Sequence, residues 1–260
     1  PVTMPAMNTT AIAIGVAVLM IAGPLVARPL RAHGREVGIA VVVLLALTFV
    51  SEPTSDVHRW ISVGRMRLHP SSMLAPIALL SLRSLLADDR FAEAAIVFVA
   101  LQVIHIGQPD AGQATAVAAG AIAAMLCTQL PRLHLRTGVG VALGTVLLAW
   151  SRPDPLQPVA LVEDMPARAF ELGIPYGVAA ALGLLALPAA ALLRRRAQQS
   201  SSETVAAVTL AVYFATTIAV TFVGHFPTPV LGFGASPIIG AVVGLGLLHG
   251  FGAPRSPPAE

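Results

Sequence analysis

Lysine is missing altogether. Sixteen arginines carry all the basic side-chain charge beside thirteen Asp and Glu, and charged residues make up only 11% of 260 positions. A soluble domain carries about 25%. At less than half that density, charge cannot clothe the surface of a soluble protein of this size. With 56% hydrophobic residues and a mean hydropathy of +0.79, the chain reads as an integral membrane protein. The exclusive use of arginine, beside so much alanine, glycine and proline, fits a GC-rich genome. The net charge of +3 therefore points to no nucleic-acid partner; in a membrane protein positive charge marks cytoplasmic loops. There is one cysteine, Cys127, which excludes an intramolecular disulfide and a multi-cysteine metal site. Set in an apolar run, it reads as a buried packing residue. No HxxxH pair or carboxylate cluster supports zinc, and His105 and His225 read as packing or hydrogen-bonding histidines. No cofactor is expected; a divalent cation stays open, without a visible ligand cluster.

Also missing is a basic stretch ahead of the first apolar segment. A signal peptide needs one, so that segment is a membrane helix. Pro1 leaves room for a longer N-terminus. A bilayer core takes about 20 apolar residues per helix, with a range of about 17–25. Nine segments qualify or nearly so: 10–27, 36–51, 71–87, 91–107, 113–130, 136–151, 166–193, 204–224 and 231–251. The fold expected is an all-α polytopic transmembrane helical bundle. Residues 1–252 form one transmembrane domain and 253–260 a disordered cytoplasmic tail. Pro29, Pro131, Pro153, Pro155 and Pro158 fall in the gaps, where a missing N–H does least harm.

Arginines gather in alternate gaps. One side receives Arg28, Arg31, Arg35, Arg83, Arg90, Arg132, Arg136, Arg194, Arg195, Arg196 and Arg255. The other receives Arg59, Arg65, Arg67, Arg152 and Arg168. The richer side is cytoplasmic by the positive-inside rule. That puts the N-terminus outside and the C-terminus inside.

Four polar islands interrupt the apolar runs. Residues 56–73 carry Arg59, Trp60, Arg65 and Arg67. Tryptophan suits the headgroup layer, and arginines suit phosphates. The stretch is a general lipid-headgroup loop or a site for a particular phosphorylated lipid. GlnProAspAlaGly at 108–112 is a turn in which Asp110 can accept from neighbouring amides. In residues 162–173, Glu163 and Asp164 precede a helix opened by Pro166 and can cap it. Glu171 lies about a turn inside that helix and is a functional candidate or an ion-pair partner of Arg168. Residues 224–237 hold Gly-Pro-rich sequence in which two GxG-like pairs are weak nucleotide signals. They read as broken helix and close packing. Gly240 with Gly244, and Gly246 with Gly250, make small-residue faces for helix contact.

Taken in order, these islands resemble the SEDS family of bacterial shape, elongation, division and sporulation proteins, which includes FtsW and RodA. The family's RRWI, LG and QPSE-like elements are similar to HisArgTrpIle at 58–61, ValGly at 63–64 and HisProSerSer at 69–72. Its QPDLGT resembles GlnProAspAlaGlyGln at 108–113, its EELG resembles PheGluLeuGly at 170–173, and its closing element resembles the segment 226–237. The resemblance spans most of the chain. It implies ten spans with both ends cytoplasmic, so this chain looks like one lacking the first helix. The family acid and lysine near QPSE are replaced, at Ser72 and about Ala75. The long external loop before the EELG helix shrinks to about Arg152–Met165, and no HTD element survives.

The resemblance implies a peptidoglycan glycosyltransferase that transfers glycan between undecaprenyl-diphosphate lipids. Asp164 would be the general base, with Glu163 as the alternative. Arg59, Arg65 and Arg152 would hold the diphosphate, with Trp60 and Arg67 also on the substrate side, and Asp110 and Glu171 would orient the cations. The rival reading is a non-catalytic SEDS-like scaffold of a larger membrane complex. A small transporter is the third, disfavoured because the segments 10–27, 36–51 and 113–130 carry almost no mid-span polar residues. Expected partners are membrane lipids, a polyprenyl-diphosphate glycan and a membrane-protein partner, with no nucleic acid.

Overall fold

A computed structural model describes residues 4–64, 66–159, 162–193, 201–232 and 234–248. Among these described residues ten α-helices run in chain order: α1 (Met4–Ala32), α2 (Gly34–Ala46), α3 (Pro70–Ala87), α4 (Phe91–Gly107), α5 (Ala111–Cys127), α6 (Arg132–Trp150), α7 (Met165–Leu172), α8 (Ile174–Leu193), α9 (Ser201–Val220) and α10 (Ala235–Leu247). A short 3-10 turn, Leu47–Val50, extends α2. The chain is an all-α polytopic membrane protein. Among the described residues, four helices are long and apolar enough to cross a bilayer: α3, α6, α8 and α9; α4, α5, α10 and part of α1 are shorter apolar helices. The expected tail at 253–260, Arg255 and Arg194 to Arg196 lie outside the described residues.

All nine expected segments coincide with helices, but 166–193 is two rather than one. α7 ends at Gly173, whose φ of +139° is a conformation that suits glycine. The break tucks Phe170 of α7 against Gly177 of α8, where a Cβ would have no room. The packing expectation for Cys127 is corrected too. It is the last residue of α5 and is exposed, because the buried stripe of α5 ends at Met125.

α3 is the hub. It packs against α2, α4, α5, α9 and α10, and 78% of it is buried, against 11% of α6. A central helix cannot turn toward lipid, so its serines must find partners inside. Ser81 Oγ donates to the Gly34 carbonyl of α2, and Ser71 Oγ meets His105 of α4 at 2.7 Å. α6 packs mainly against α4 and α5 and leaves Leu133, Leu143, Leu147 and Leu148 exposed, as a lipid-facing helix should.

Glycines set the closest helix approaches. A Cβ on Gly240 would strike the Ser72 carbonyl of α3, and one on Gly244 would sit 2.6 Å from Pro76 Cβ. The Gly240–Gly244 face therefore lies on α3, and Gly246 takes Leu19 of α1. Without a hydrophobic drive between helices in lipid, such close packing does most of the joining.

Between α2 and α3 lies a β-hairpin, β1 (Ile61–Val63) and β2 (Met66–Leu68), antiparallel with Ile61 opposite Leu68. Gly64 supplies its turn at φ +59°.

Candidate functional site

The loops after the 3-10 turn, after α4, after α6 and after α9 meet at one end of the bundle. Each contributes one of the four polar islands.

Arg59 ties three of them together. Its side chain is 6% exposed and lies 2.7 Å from Asp154 Oδ2. Its Nε donates to the Gln108 carbonyl at 2.8 Å, and Nη2 also donates to the Pro109 carbonyl. Guanidinium is suited to this, because its planar fork reaches several acceptors at once. Asp154 is fixed in turn: its Oδ1 accepts from the Leu156 amide at 3.1 Å, a local aspartate turn between two prolines. Gln108 is anchored below by donating from Nε2 to Thr48 Oγ1 at 2.7 Å.

Asp110 is the N-cap of α5 and accepts from the Gln113 amide at 3.0 Å. Its other oxygen, Oδ2, lies 3.1 Å from His69 Nε2, a close polar contact. Burial alone would raise this carboxyl, but His69 and Arg59 outweigh burial and hold it below the usual carboxylate range. His69 caps α3. Its ring accepts from the Ser72 amide at 3.4 Å, which leaves Nε2 as the nitrogen carrying hydrogen toward Asp110. The His69 amide donates to Ser236 Oγ of α10 at 2.8 Å, and Trp60 lies over the ring at 5.9 Å. Beneath runs a second buried pair: Ser71 Oγ lies 2.7 Å from His105 Nε2, whose Nδ1 faces Gln102 Oε1 at 3.4 Å. Tyr213 Oη donates to Gln113 Oε1 at 3.1 Å.

The α6–α7 loop and the α9–α10 loop lock together. The Thr228 amide donates to the Val162 carbonyl at 2.8 Å, and Thr228 Oγ1 donates to the Glu163 carbonyl at 2.6 Å. This leaves Glu163 with a carboxyl 11% exposed, its Oε2 3.9 Å from His225 Nδ1 and without a hydrogen-bond partner. Burial pushes this carboxyl above its ordinary value, against the Val159 amide and His225, which lower it. Asp164 is different. It sits at the N-cap of α7, exposed, and its side chain caps nothing.

Of the residues named from the sequence, Arg59, Trp60, Asp110 and Glu163 are drawn into this cluster. Arg67 is exposed and donates to Thr54 Oγ1 at 2.9 Å. Arg152 is exposed at the end of α6. Glu171 is exposed on α7, and among the described residues no ion pair joins it to Arg168. Arg65 lies outside the described residues. Sequence reasoning gave no individual role to Asp154, His69, Thr48 or Thr228. Only Asp154 carried a local signal, an aspartate flanked by prolines. The other three are tied to partners 41 or more positions away, which spacing cannot reveal. Among the described residues no group of three or more His, Cys, Asp or Glu is placed to hold a metal ion.

The family model for FtsW, RodA and SpoVE, described as a cell cycle protein, matches residues 2–163, more than half of the chain. No curated protein matches. Among solved structures, the rod shape determining protein RodA of Thermus thermophilus is similar at 21% identity and a TM-score of 0.62, covering 93% of this chain and 85% of that one. A mutant of the same protein gives a TM-score of 0.61 at 21% identity, over 93% and 85% of the two chains. A chain from work on how a peptidoglycan synthase complex coordinates polymerization and crosslinking gives 0.51 at 20% identity, over 94% and 95%. At these identities the likeness is one of fold.

Proposed function

The chain belongs to the FtsW, RodA and SpoVE family, the SEDS proteins, and from that premise we propose that it polymerises glycan from undecaprenyl-diphosphate-linked precursors. The observation that carries this reading is the Glu163 carboxyl, which is mostly buried, raised in pKa and beside His225. A general base works best when its pKa approaches the operating pH. Glu163 is closer to that condition than the exposed Asp164. In the step proposed, Glu163 takes the proton from the acceptor sugar hydroxyl. That oxygen forms a bond to the donor's anomeric carbon, the bond from carbon to phosphate oxygen breaks, and undecaprenyl diphosphate leaves. Arg152 and Arg67, both exposed on the same end, are free to meet the diphosphate as charge accumulates on it. Trp60 is placed to lie against the lipid or sugar at the headgroup layer. Asp110 and Arg59 hold the loops in register.

The reading also sets orientation. The polar cluster faces the outer side of a bacterial inner membrane, and the arginine-rich end faces the cytoplasm. The likeness to a chain of a peptidoglycan synthase complex supports a membrane-protein partner that cross-links what this chain polymerises.

The test is polymerisation of labelled lipid-linked disaccharide by purified protein. Glu163→Gln abolishes product and Asp164→Asn retains it. The reverse result moves the base to Asp164. A second reading, a scaffold without catalysis, is favoured by Arg59, whose Nε and Nη2 are already occupied inside the protein and have little left for a diphosphate. It is supported by absence of product from the wild-type protein together with stable co-purification of a membrane partner.

A further inference from the structure

The end of the bundle away from the polar cluster carries an apolar crevice between α3, α4, α5 and α6. It is lined by Leu86, Phe91, Phe98, Met125, Gly138 and Val141, with Thr137 the one residue bearing a polar side chain. From Phe91 to Phe98 it follows two turns of α4, about 10 Å. It is narrow: the space amounts to about 80 Å³, and a Cβ on Gly138 would collide with Met125 Sδ. A helix, about 10 Å across, does not enter it. A hydrocarbon chain does. α6, which forms one wall, is the least buried of the four long apolar helices among the described residues.

Charge at the mouth selects the head of such a molecule. The Phe91 ring stacks on His134 at 4.5 Å and 7°, so the crevice ends where α4 and α6 begin. There α6 presents Arg132 and Arg136, four residues apart and both exposed, without an ion-pair partner among the described residues. The other charges nearby are largely matched. Arg90 holds both oxygens of Glu93 at 2.7 and 2.5 Å, and Arg35 lies 3.7 Å from Glu93. Asp88 and Asp89 are exposed on the turn between α3 and α4, and Arg83 is buried within α3.

We propose that this crevice binds one acyl chain of an anionic phospholipid from the surrounding bilayer, with its phosphate held by Arg132 and Arg136. The site is independent of the polar cluster and of any glycan chemistry there. The lipid lies along α4 and α6 on the outer wall of the bundle.

The experiment uses purified full-length chain, delipidated and then incubated with an equal mixture of phosphatidylglycerol and phosphatidylcholine. Bound lipid is counted by native mass spectrometry, and melting temperature is followed in each lipid. The wild type retains phosphatidylglycerol in preference and melts higher in it. Arg132→Ala with Arg136→Ala lowers that preference about tenfold without emptying the crevice. Ala95→Phe, at another lining position, removes retained lipid of both kinds. Equal retention of the two lipids, a preference untouched by the double arginine variant, or a protein bound in place of lipid would each overturn the assignment. The arginine variant alters only exposed side chains, so the test stands even if Ala95→Phe does not fold.

Discussion

His69 Nε2 lies 3.1 Å from Asp110 Oδ2, and this contact joins the first turn of α3 to the first turn of α5. Each partner is also a helix cap, so one pair fixes two helix starts. Because both sit outside the helices yet mostly out of water, removing either partner strands the other and costs more than it would at the surface.

The folded carboxyl of Asp110 is depressed. A depressed carboxyl contributes stability that is present above its unfolded pKa of about 3.9 and is lost as pH falls through the folded value. Asp110→Asn is therefore expected to lower stability at pH 7 by about 1–3 kcal/mol. It also flattens the fall in melting temperature below about pH 4. Thermal unfolding in detergent across pH 3 to 7 checks this; an unchanged acid limb removes Asp110 from the account.

Arg59 and Asp154 are unequal partners. Arg59 is 6% exposed on its side chain and Asp154 31%. Removing Arg59 leaves the Gln108 and Pro109 carbonyls short of a donor in a buried place, at roughly 2–4 kcal/mol. Removing Asp154 leaves an arginine still bonded to both carbonyls, at about 1 kcal/mol or less. The order Arg59→Ala well above Asp154→Ala is expected in melting temperature. Arg59→Lys does not rescue, since an ammonium is a point donor without the fork.

Much of this was readable in advance. Apolar run length marked the long helices, since a bilayer imposes length directly, but merged the short α7 with α8. The Gly240–Gly244 spacing marked a helix contact, and Asp110 was readable as an acceptor for nearby amides. The hairpin at 61–68 was not readable, because three residues per strand are too few for a period to show. Gly173 hid the break between α7 and α8, as a single glycine in an apolar run looks like helix. Glu163 and Asp164 could not be ranked by sequence. Their difference comes from Thr228 and His225, some sixty residues later, which enclose one carboxylate and leave the other in water.

The raised pKa of Glu163 has a kinetic signature if this residue is the base. Protonated carboxyl cannot accept a proton, so the rate falls at a higher pH than an ordinary glutamate would give. The acid limb of the pH–rate profile is expected above about 4.3. His225 lowers that pKa, so His225→Ala moves the limb further up. Glu163→Gln costs about 10²–10⁴-fold in rate. A limb unmoved by His225→Ala sets Glu163 aside as the titrating group.

Two glycines give a last, opposed pair. Gly240 faces the Ser72 carbonyl and the Met73 backbone of α3, where any Cβ is too close. Backbone cannot swing aside as a side chain can, so Gly240→Ala must push α10 away from α3 and loosen His69, whose amide is held by Ser236 of α10. The expected loss is about 1–3 kcal/mol. Gly183 in α8 has nothing within 4 Å of its would-be Cβ. There alanine only improves helix propensity, by up to about 1 kcal/mol. Melting temperatures moving in opposite directions for two chemically identical substitutions would locate the tight seam on α3. If Gly240→Ala melts like wild type, the α3–α10 approach is looser than the backbone positions indicate.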